Sequence, residues 1–235
     1  HSFWSPENCI EKEPIANYQA AKKKLNNELK LAVEKRLISD VPLGTFLSGG
    51  IDSSLVSAIA SKQSNTKLNT FSIGFKDAQH NESKYATRVA KHLNTNHHEF
   101  ILTQDDALGE LEQIMDNFDQ PFADSSALPT YLVSKMAKKH VSVCLSGDGG
   151  DELFMGYGSY NWAKRLSNPL LWSLRKPISK LLCFSPNPIH KRASWLFKGS
   201  KQNTKSHIFS QEQYLFSEQE ISTILKSSNS LHIDS

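Results

Sequence analysis

The chain has 235 residues, of which 38% are hydrophobic and 22% are charged, and its formal net charge at pH 7 is +3. This composition is typical of a globular domain with a hydrophobic core, and so small a net charge gives no reason to expect a nucleic-acid partner. No apolar run reaches the length of a membrane span, so we expect no membrane partner either.

The first elements in chain order are a lead-in, a helix and a strand–loop–helix unit. Residues 1–16 form the lead-in, and apolar residues at helical spacing predict a helix over 17–38. A short apolar run ending at Leu47 predicts a buried strand, and a Ser-Gly-Gly turn interrupts it. Apolar residues at helical spacing then predict a second helix beyond residue 54.

Three further strands and three further helices follow. Strands are predicted over 68–75, 97–102 and 141–145, and helices over 81–93, 103–118 and 128–139. The helix over 81–93 should turn Tyr85 toward the sheet. This alternation predicts an α/β fold with a doubly wound parallel sheet covered by helices on both faces. Ligands of such sheets bind at the carboxyl ends of the strands, where the loops after Leu47 and Leu145 lie.

The loop after Leu47 has the composition of an anion-binding site. The first amides of a helix have no internal partner and carry the positive end of the helix dipole. Gly49 and Gly50 allow the backbone to approach a phosphate closely, and Asp52 suggests a bridging Mg²⁺. Hydroxyl donors are available from Ser48, Ser53 and Ser54. The alternative is a purely structural Gly-Gly turn before an ordinary helix.

Two common phosphate-binding motifs do not fit this loop. No Gly-Lys-Ser/Thr follows the glycines, so it is not a Walker A loop, and it is not the Gly-x-Gly-x-x-Gly of dinucleotide sites. The string Ser48–Ser54 after a strand resembles instead the PP-loop of the ATP pyrophosphatases, which cleave ATP between its α and β phosphates.

A second glycine-rich loop, Ser146–Glu152, follows the last predicted strand and holds three glycines and three carboxylates. It could be a turn that caps the next helix through Asp151. Its position at the ligand-binding edge favours a functional interpretation, in which Asp52 and Asp151 hold Mg²⁺ and neutralise a departing pyrophosphate. Phosphates and unpaired carboxylates in one dry cleft would repel by roughly several kcal/mol per pair, so a cation must accompany them.

The histidines and cysteines give no sign of another metal site. His97 and His98 are adjacent on a predicted strand, so their side chains should point to opposite faces of the sheet. The three cysteines are Cys9, Cys144 and Cys183, which are scattered along the chain. They favour free thiols in a reducing, cytoplasmic compartment.

Five segments together resemble the synthetase domain of the glutamine-hydrolysing asparagine synthase family. They lie between about residues 17 and 165: 40–54, 71–75, 82–86 with 97–99, 119–131, and 145–154 with 156–157. The resemblance implies an adenine nucleotide alpha hydrolase-like fold for that region, with an incomplete helical part over 166–235. The set of five segments is more specific than the PP-loop alone, which NAD synthetase and GMP synthetase share.

The resemblance also implies a reaction and a set of site residues. Aspartate would attack the α-phosphate of ATP to give β-aspartyl-AMP, and ammonia would displace AMP to give asparagine. The adenosine site would comprise Leu47, Ile73, Ser146 and Gly147. The pyrophosphate site would comprise Ser48, Gly49, Gly50, Asp52, Ser53 and Ser54. Asp52 and Asp151 would carry Mg²⁺, and Asp148 would assist adenylate formation and accept a proton from ammonia.

Some features depart from the best-known members of the family. Those members have Glu at the position of Asp148, so the acceptor could be aspartate or the carboxylate of a sugar or peptide. The family's glutaminase domain and later carboxyl-terminal signatures are absent, and we expect this chain to be part of a longer, homodimeric protein that contains the glutaminase domain. The alternative is a nucleotide-binding module without turnover.

Overall fold

The computed structural model describes residues 5, 15–76, 83–119, 124 and 126–197. The chain divides into two compact units that meet between Asp148 and Gly149. The sequence analysis placed the end of the core later, at residue 165. The first unit holds the sheet, and all described elements after its last strand are helices.

The first unit alternates helices and strands in the predicted order. Its elements are α1 Tyr18–Leu37, β1 Leu43–Phe46, α2 Ile51–Gln63, β2 Asn69–Phe75, α3 Ser83–Leu93, β3 Asn96–Leu102, α4 Gln104–Asp116, α5 Ala127–Ala137 and β4 Val143–Leu145. Residues 81–82, at the start of the predicted third helix, lie outside the described part of the chain.

The four described strands form one parallel sheet in the order β3-β2-β1-β4. Phe46 of β1 is in register with Phe71 of β2, and Thr45 is in register with Leu145 of β4. The chain moves outward from β1 through β2 to β3 and then returns to the other side of β1. The strand order therefore reverses at β1, and a crevice for a ligand forms beside such a reversal, at the carboxyl ends of the strands.

Helices cover both faces of the sheet, which confirms the doubly wound architecture. On one face, Val33 of α1 and Ile59 and Ala60 of α2 form a buried cluster with Leu68. On the opposite face, Phe71 packs against α5 in a second cluster. The alternation of a strand requires this division, because consecutive side chains of β2 point to opposite faces.

Buried hydroxyls fix the register of the helices on the strands. Thr45 Oγ1 and Ser57 Oγ lie 2.8 Å apart, with both residues fully buried, so a hydrogen bond ties α2 to β1. Thr70 Oγ1 lies 2.8 Å from Thr95 Oγ1 and 3.0 Å from Nδ1 of His97. A buried hydroxyl without a partner would be costly, so these pairs favour one arrangement over slipped ones.

The prediction for the adjacent histidines is confirmed. His97 lies on the face of Thr70, and its Nε2 is 3.2 Å from Ser72 Oγ. His98 stacks on Phe71 on the other face and on His140, with ring centroids 5.1 and 4.0 Å away. The two imidazoles therefore cannot chelate one ion.

Three other expectations are corrected or limited by the structure. Tyr85 was expected to face the sheet, but half of its surface is exposed because α3 buries the small residues Ser83, Ala86 and Ala90 instead. Cys144 and Cys183 are free thiols as predicted, and burial raises the pKa of Cys144 to about 11. Cys9 lies outside the described residues.

The second unit is helical over the residues described. Its helices are α6 Gly150–Phe154, α7 Gly158–Leu166, α8 Pro169–Ser173, α9 Arg175–Cys183 and α10 Pro188–Trp195. The alternative in which Asp151 caps the next helix is wrong, because Gly149 is the N-cap residue and Asp151 lies within the first turn. Leu166 and Phe197 form a small core with Ile178 and Leu182. Across both units, none of the described helices combines the length and the apolar character needed to cross a bilayer.

The buried position of His97 predicts a pH dependence of stability. Burial lowers the pKa of His97 below its usual value of 6.5, so the folded state disfavours the protonated ring. The stabilisation is complete above pH 6.5 and is lost as the pH falls through the lowered pKa. We expect the free energy of unfolding to fall between about pH 7.5 and pH 5.5, and to fall less in His97→Gln.

Denaturant unfolding at several pH values measures this difference. His92→Gln, at an exposed position of the same unit, is the matched control and should keep the wild-type slope. Equal slopes for the His97→Gln variant and the wild type would contradict the prediction.

Candidate functional site

The turn between β1 and α2 leaves the start of α2 open. Gly50 is the N-cap residue and offers no side chain to the helix, and the first internal hydrogen bond runs from the Ser54 amide to the Gly50 carbonyl at 3.1 Å. The amides of residues 51–53 have no acceptor within the helix. They carry the positive end of the dipole of a 13-residue helix, which favours an anionic group.

Two serine hydroxyls hold the loop in shape. Ser48 Oγ lies 2.9 Å from Ser53 Oγ and accepts a hydrogen bond from the Gly50 amide at 3.2 Å. Ser53 Oγ also accepts from the Ser48 amide at 3.2 Å. The loop is therefore closed by its own side chains before a ligand binds.

Ser54 differs from the other two serines. Its Oγ is buried and has no hydrogen-bond partner in the part of the chain that the structure describes. An unsatisfied buried hydroxyl costs about 1–3 kcal/mol, so such a group is rarely left without a partner. An oxygen-rich ligand at the start of α2 is one group that could satisfy it.

Gly49 is required by the position of α3. Its φ is +88°, and a Cβ at this position would lie 2.5 Å from the Ala86 amide nitrogen and 2.7 Å from Cβ of Tyr85. The loop backbone therefore lies directly against the first turn of α3. Sequence reasoning gave no role to Tyr85 and Ala86 at the site; the only signal was their presence in one of the family-like segments.

Gly147 brings the second loop against the start of α2. A Cβ on Gly147 would lie 2.6 Å from the Ser53 amide nitrogen and 2.9 Å from the carbonyl carbon of Asp52. The backbone after β4 therefore contacts the first turn of α2 with no space for any side chain. The two glycine-rich loops meet at the strand-order reversal, as their positions in the sequence predicted.

The carboxylates occupy different parts of the structure. Asp52 is partly exposed in the first turn of α2, and Asp148 is exposed with its Oδ2 accepting a hydrogen bond from Ser146 Oγ at 2.8 Å. Asp151 belongs to the second unit, so its pairing with Asp52 stays a prediction. Among the described residues, no group of three or more His, Cys, Asp or Glu side chains is arranged to hold a metal ion.

The side chains of Leu47 and Ile73 lie on opposite faces of the sheet. Leu47 is 1% exposed and packs on Ala86 and Ala90, whereas Ile73 packs beside Phe71. They therefore cannot line one pocket together with their side chains. Their backbones lie closer together. The Leu47 amide donates a hydrogen bond to the Phe71 carbonyl at 2.8 Å. Ile73 follows two residues later on β2, so its backbone carbonyl points in the same direction as that of Phe71.

Comparison with known proteins supports the family resemblance of the segments that contain the two loops. The asparagine synthase family model matches residues 24–232. Asparagine synthetase (glutamine-hydrolyzing) 1 of Bacillus subtilis strain 168 is 44% identical over 129 residues, which are 55% of this chain and 20% of that protein. The asparagine synthetase (glutamine-hydrolyzing) of Zea mays is 37% identical over 168 residues, which are 66% of this chain and 28% of that protein.

One solved structure is also similar in part. An NH3-dependent NAD synthetase from Campylobacter jejuni, in complex with the nitrate ion, aligns with a TM-score of 0.41 and 17% identity. The alignment covers 58% of this chain and 60% of that one.

The close approach at Gly147 predicts a strong effect of one methyl group. In Gly147→Ala the new Cβ would force the second loop away from Ser53. We expect a loss of about 1–3 kcal/mol in the free energy of unfolding, the range for overpacking a close contact, together with weaker ATP binding. Denaturant unfolding and a fluorescent ATP-analogue titration measure the two effects.

Gly109→Ala is the matched control, because nothing lies within 4 Å of a Cβ built there and the residue is helical. It should leave ATP binding unchanged and stabilise the protein slightly. If both variants bind ATP as the wild type does, the two loops do not form one site.

Proposed function

This chain belongs to the asparagine synthase family, and we propose that it is the ATP-binding part of a ligase that converts a carboxylate to an amide. The acceptor that fits best is the side chain of aspartate, with asparagine as the product. The observation that carries the proposal is the contact between Gly147 and the first turn of α2, which brings the two glycine-rich loops together at one edge of the sheet. The chain spans 20% and 28% of the two relatives named above, so the activity is proposed for the complete protein.

The proposed reaction has two steps. An oxygen of the aspartate side chain attacks the α-phosphorus of ATP, the bond to the β-phosphate breaks, and pyrophosphate leaves with the bonding electrons. Ammonia then attacks the carbonyl carbon of the mixed anhydride, AMP departs, and a proton is lost to give the amide. Most of the work required of the protein is to hold the phosphates in line and to stabilise the developing charge.

The start of α2 is suited to the leaving pyrophosphate. Its open amides and the positive end of its dipole oppose the charge that accumulates as the bond breaks. Ser54 Oγ is the hydroxyl available to donate to a phosphate oxygen, while Ser48 and Ser53 hold the loop for this purpose. Adenine would be recognised by backbone groups of Leu47 and Ile73 rather than by their side chains.

Mg²⁺ fits the donor chemistry of the site. It prefers carboxylate and phosphate oxygens, and Asp52 presents a carboxylate at the anion-binding helix terminus. Without a cation, this carboxylate would repel the phosphates of ATP. When bound, the ion would neutralise phosphate charge; Asp52 would hold it, with Asp151 proposed as the second ligand.

Asp148 is the residue that we propose to act on the second substrate. Its hydrogen bond with Ser146 Oγ fixes one carboxylate oxygen on the loop that touches α2. A carboxylate held there can accept the proton that ammonia loses when it forms the amide bond. Asp148 is therefore the proposed proton acceptor, and Asp rather than the family's Glu leaves room for an acceptor larger than aspartate.

The remaining expectations are proposals for the complete protein. The relatives are named as glutamine-hydrolyzing, and we propose that ammonia reaches this site from a glutaminase domain of the same protein. A homodimer and a cytoplasmic location are proposed with it. The second candidate, a nucleotide-binding module without turnover, is distinguished by the experiment that follows.

Exchange of labelled pyrophosphate into ATP tests the first step. With aspartate and Mg²⁺ present we expect exchange in the complete protein, and a fall of about 100-fold or more in Asp52→Ala, because the cation loses a ligand. Asp148→Ala should abolish asparagine formation while ATP still binds, and Asp148→Glu should restore part of it. Asp116→Ala, an exposed carboxylate on α4, is the control and should behave as the wild type.

The outcomes separate the candidates. ATP binding without exchange, with aspartate and with sugar or peptide carboxylates alike, would replace the ligase with a binding module. Exchange that depends on a sugar or peptide carboxylate and not on aspartate would keep the ligase chemistry and change its acceptor.

A further inference from the structure

The charge of this chain is distributed unevenly. The stretch from Leu153 to Gln211 contains no Asp or Glu. It contains ten cations: Lys164, Arg165, Arg175, Lys176, Lys180, Lys191, Arg192, Lys198, Lys201 and Lys205. Since the whole chain carries only +3, the remainder is net negative. The small overall charge is therefore the sum of a strongly basic segment and a net negative remainder. The basic segment includes helices α7 to α10 of the second unit.

A groove in this unit is lined by both cationic and aromatic side chains. It runs along α9 and has a volume of about 400 Å³. Arg175, Lys176 and Lys180 line it together with Phe184 and Phe197. A groove of this composition accepts an anionic group attached to an apolar body.

A face of α9 and its two cap residues, which adjoins the groove only at Phe184, exposes large apolar residues. Leu174, Leu181 and Phe184 are 47%, 76% and 78% exposed. Their spacing of seven and three places them on one helix face, and Lys180 borders it. Among the described residues, only Ile178 and Leu182 of α9 pack on the small core, so the apolar arc of the helix is wider than its described neighbours cover.

The exposed residues do not suit a nucleic acid. Base recognition in single strands uses free aromatic faces, but Arg175 lies over Trp172 at 3.9 Å and Arg165 over Trp162 at 5.2 Å. Of the three exposed apolar residues on α9, two are leucines, which stack on no base. Aliphatic and Phe side chains beside cations are typical of segments that lie in the interface of an anionic bilayer.

We propose that the α9 surface, defined as Leu174, Lys176, Lys180, Leu181 and Phe184, docks on an anionic phospholipid membrane. The lysines contact the phosphates of the head groups, and the apolar residues enter the boundary with the acyl chains. We expected no membrane partner from the sequence because no apolar run reaches the length of a membrane span. That property does not report on a peripheral contact of this kind, and the proposal does not depend on the proposed function.

Vesicle co-sedimentation of the complete protein tests this docking. We expect binding to phosphatidylcholine vesicles in which about a third of the lipid is phosphatidylglycerol, and little binding to phosphatidylcholine alone. Lys176→Gln/Lys180→Gln should weaken partitioning about 30-fold, since each cation near such a surface contributes roughly fivefold. Leu181→Ser/Phe184→Ser should weaken it also at high salt, where the ionic contribution is screened.

The control is Lys22→Gln/Lys23→Gln on α1, which removes the same charge from an exposed helix of the other unit. It should bind the vesicles as the wild type does, and circular dichroism verifies the fold of every variant. The proposal would be overturned by an equal loss of vesicle binding in the control, by equal binding to neutral vesicles, or by displacement of the protein from vesicles by single-stranded nucleic acid. If Lys176→Gln/Lys180→Gln loses vesicle binding but Leu181→Ser/Phe184→Ser does not, the apolar residues do not enter the membrane.

Discussion

The contact between the Gly147 backbone and the first turn of α2 is the constraint on which the candidate site depends. A Cβ at Gly147 would lie within 3 Å of two backbone atoms of α2, so no other residue fits without moving one of the loops. This contact joins the ends of β1 and β4, which are neighbours in the sheet but are separated by nearly a hundred residues in the chain. Without it, the two glycine-rich loops would be unrelated turns.

The surrounding structure holds the first loop from several directions. Gly49 abuts the start of α3, the hydroxyls of Ser48 and Ser53 close the turn, and the Thr45–Ser57 pair fixes α2 on β1. A loop held in this way loses little conformational freedom when a ligand binds, which favours tight binding of a charged group. The open amides of α2, and the Ser54 hydroxyl that has no partner among the described residues, are then the groups proposed to meet an anion.

The two units differ in their charge as well as in their architecture. The first unit holds Asp52 in the first turn of a helix whose terminus attracts phosphate, a combination that makes sense when a cation accompanies the nucleotide. The second unit contains the acid-free stretch from Leu153 to Gln211, with exposed apolar residues on and next to α9. The proposed nucleotide site and the proposed docking surface make different demands on the sequence, and they lie in separate units.

The sequence alone determined the order and type of the elements, the parallel sheet, and the edge at which the two loops would lie. These features follow from local signals: apolar periodicity, glycine-rich turns, and the rule that parallel strands need helical crossovers. It also determined the separation of His97 and His98, because alternation along a strand is local. Family-like segments identified the chemistry, since each carries its residues within a short stretch.

Only the tertiary structure decided which residues face one another. Leu47 and Ile73 looked like partners in one pocket, but register places their side chains on opposite faces of the sheet. Tyr85 fitted the helical period, yet half of it is exposed, and α3 buries the small residues Ser83, Ala86 and Ala90. Gly147 looked like any glycine in an acidic turn until the backbone of α2 was found against it. Such contacts depend on the distance between segments far apart in the chain, and no local pattern encodes that distance.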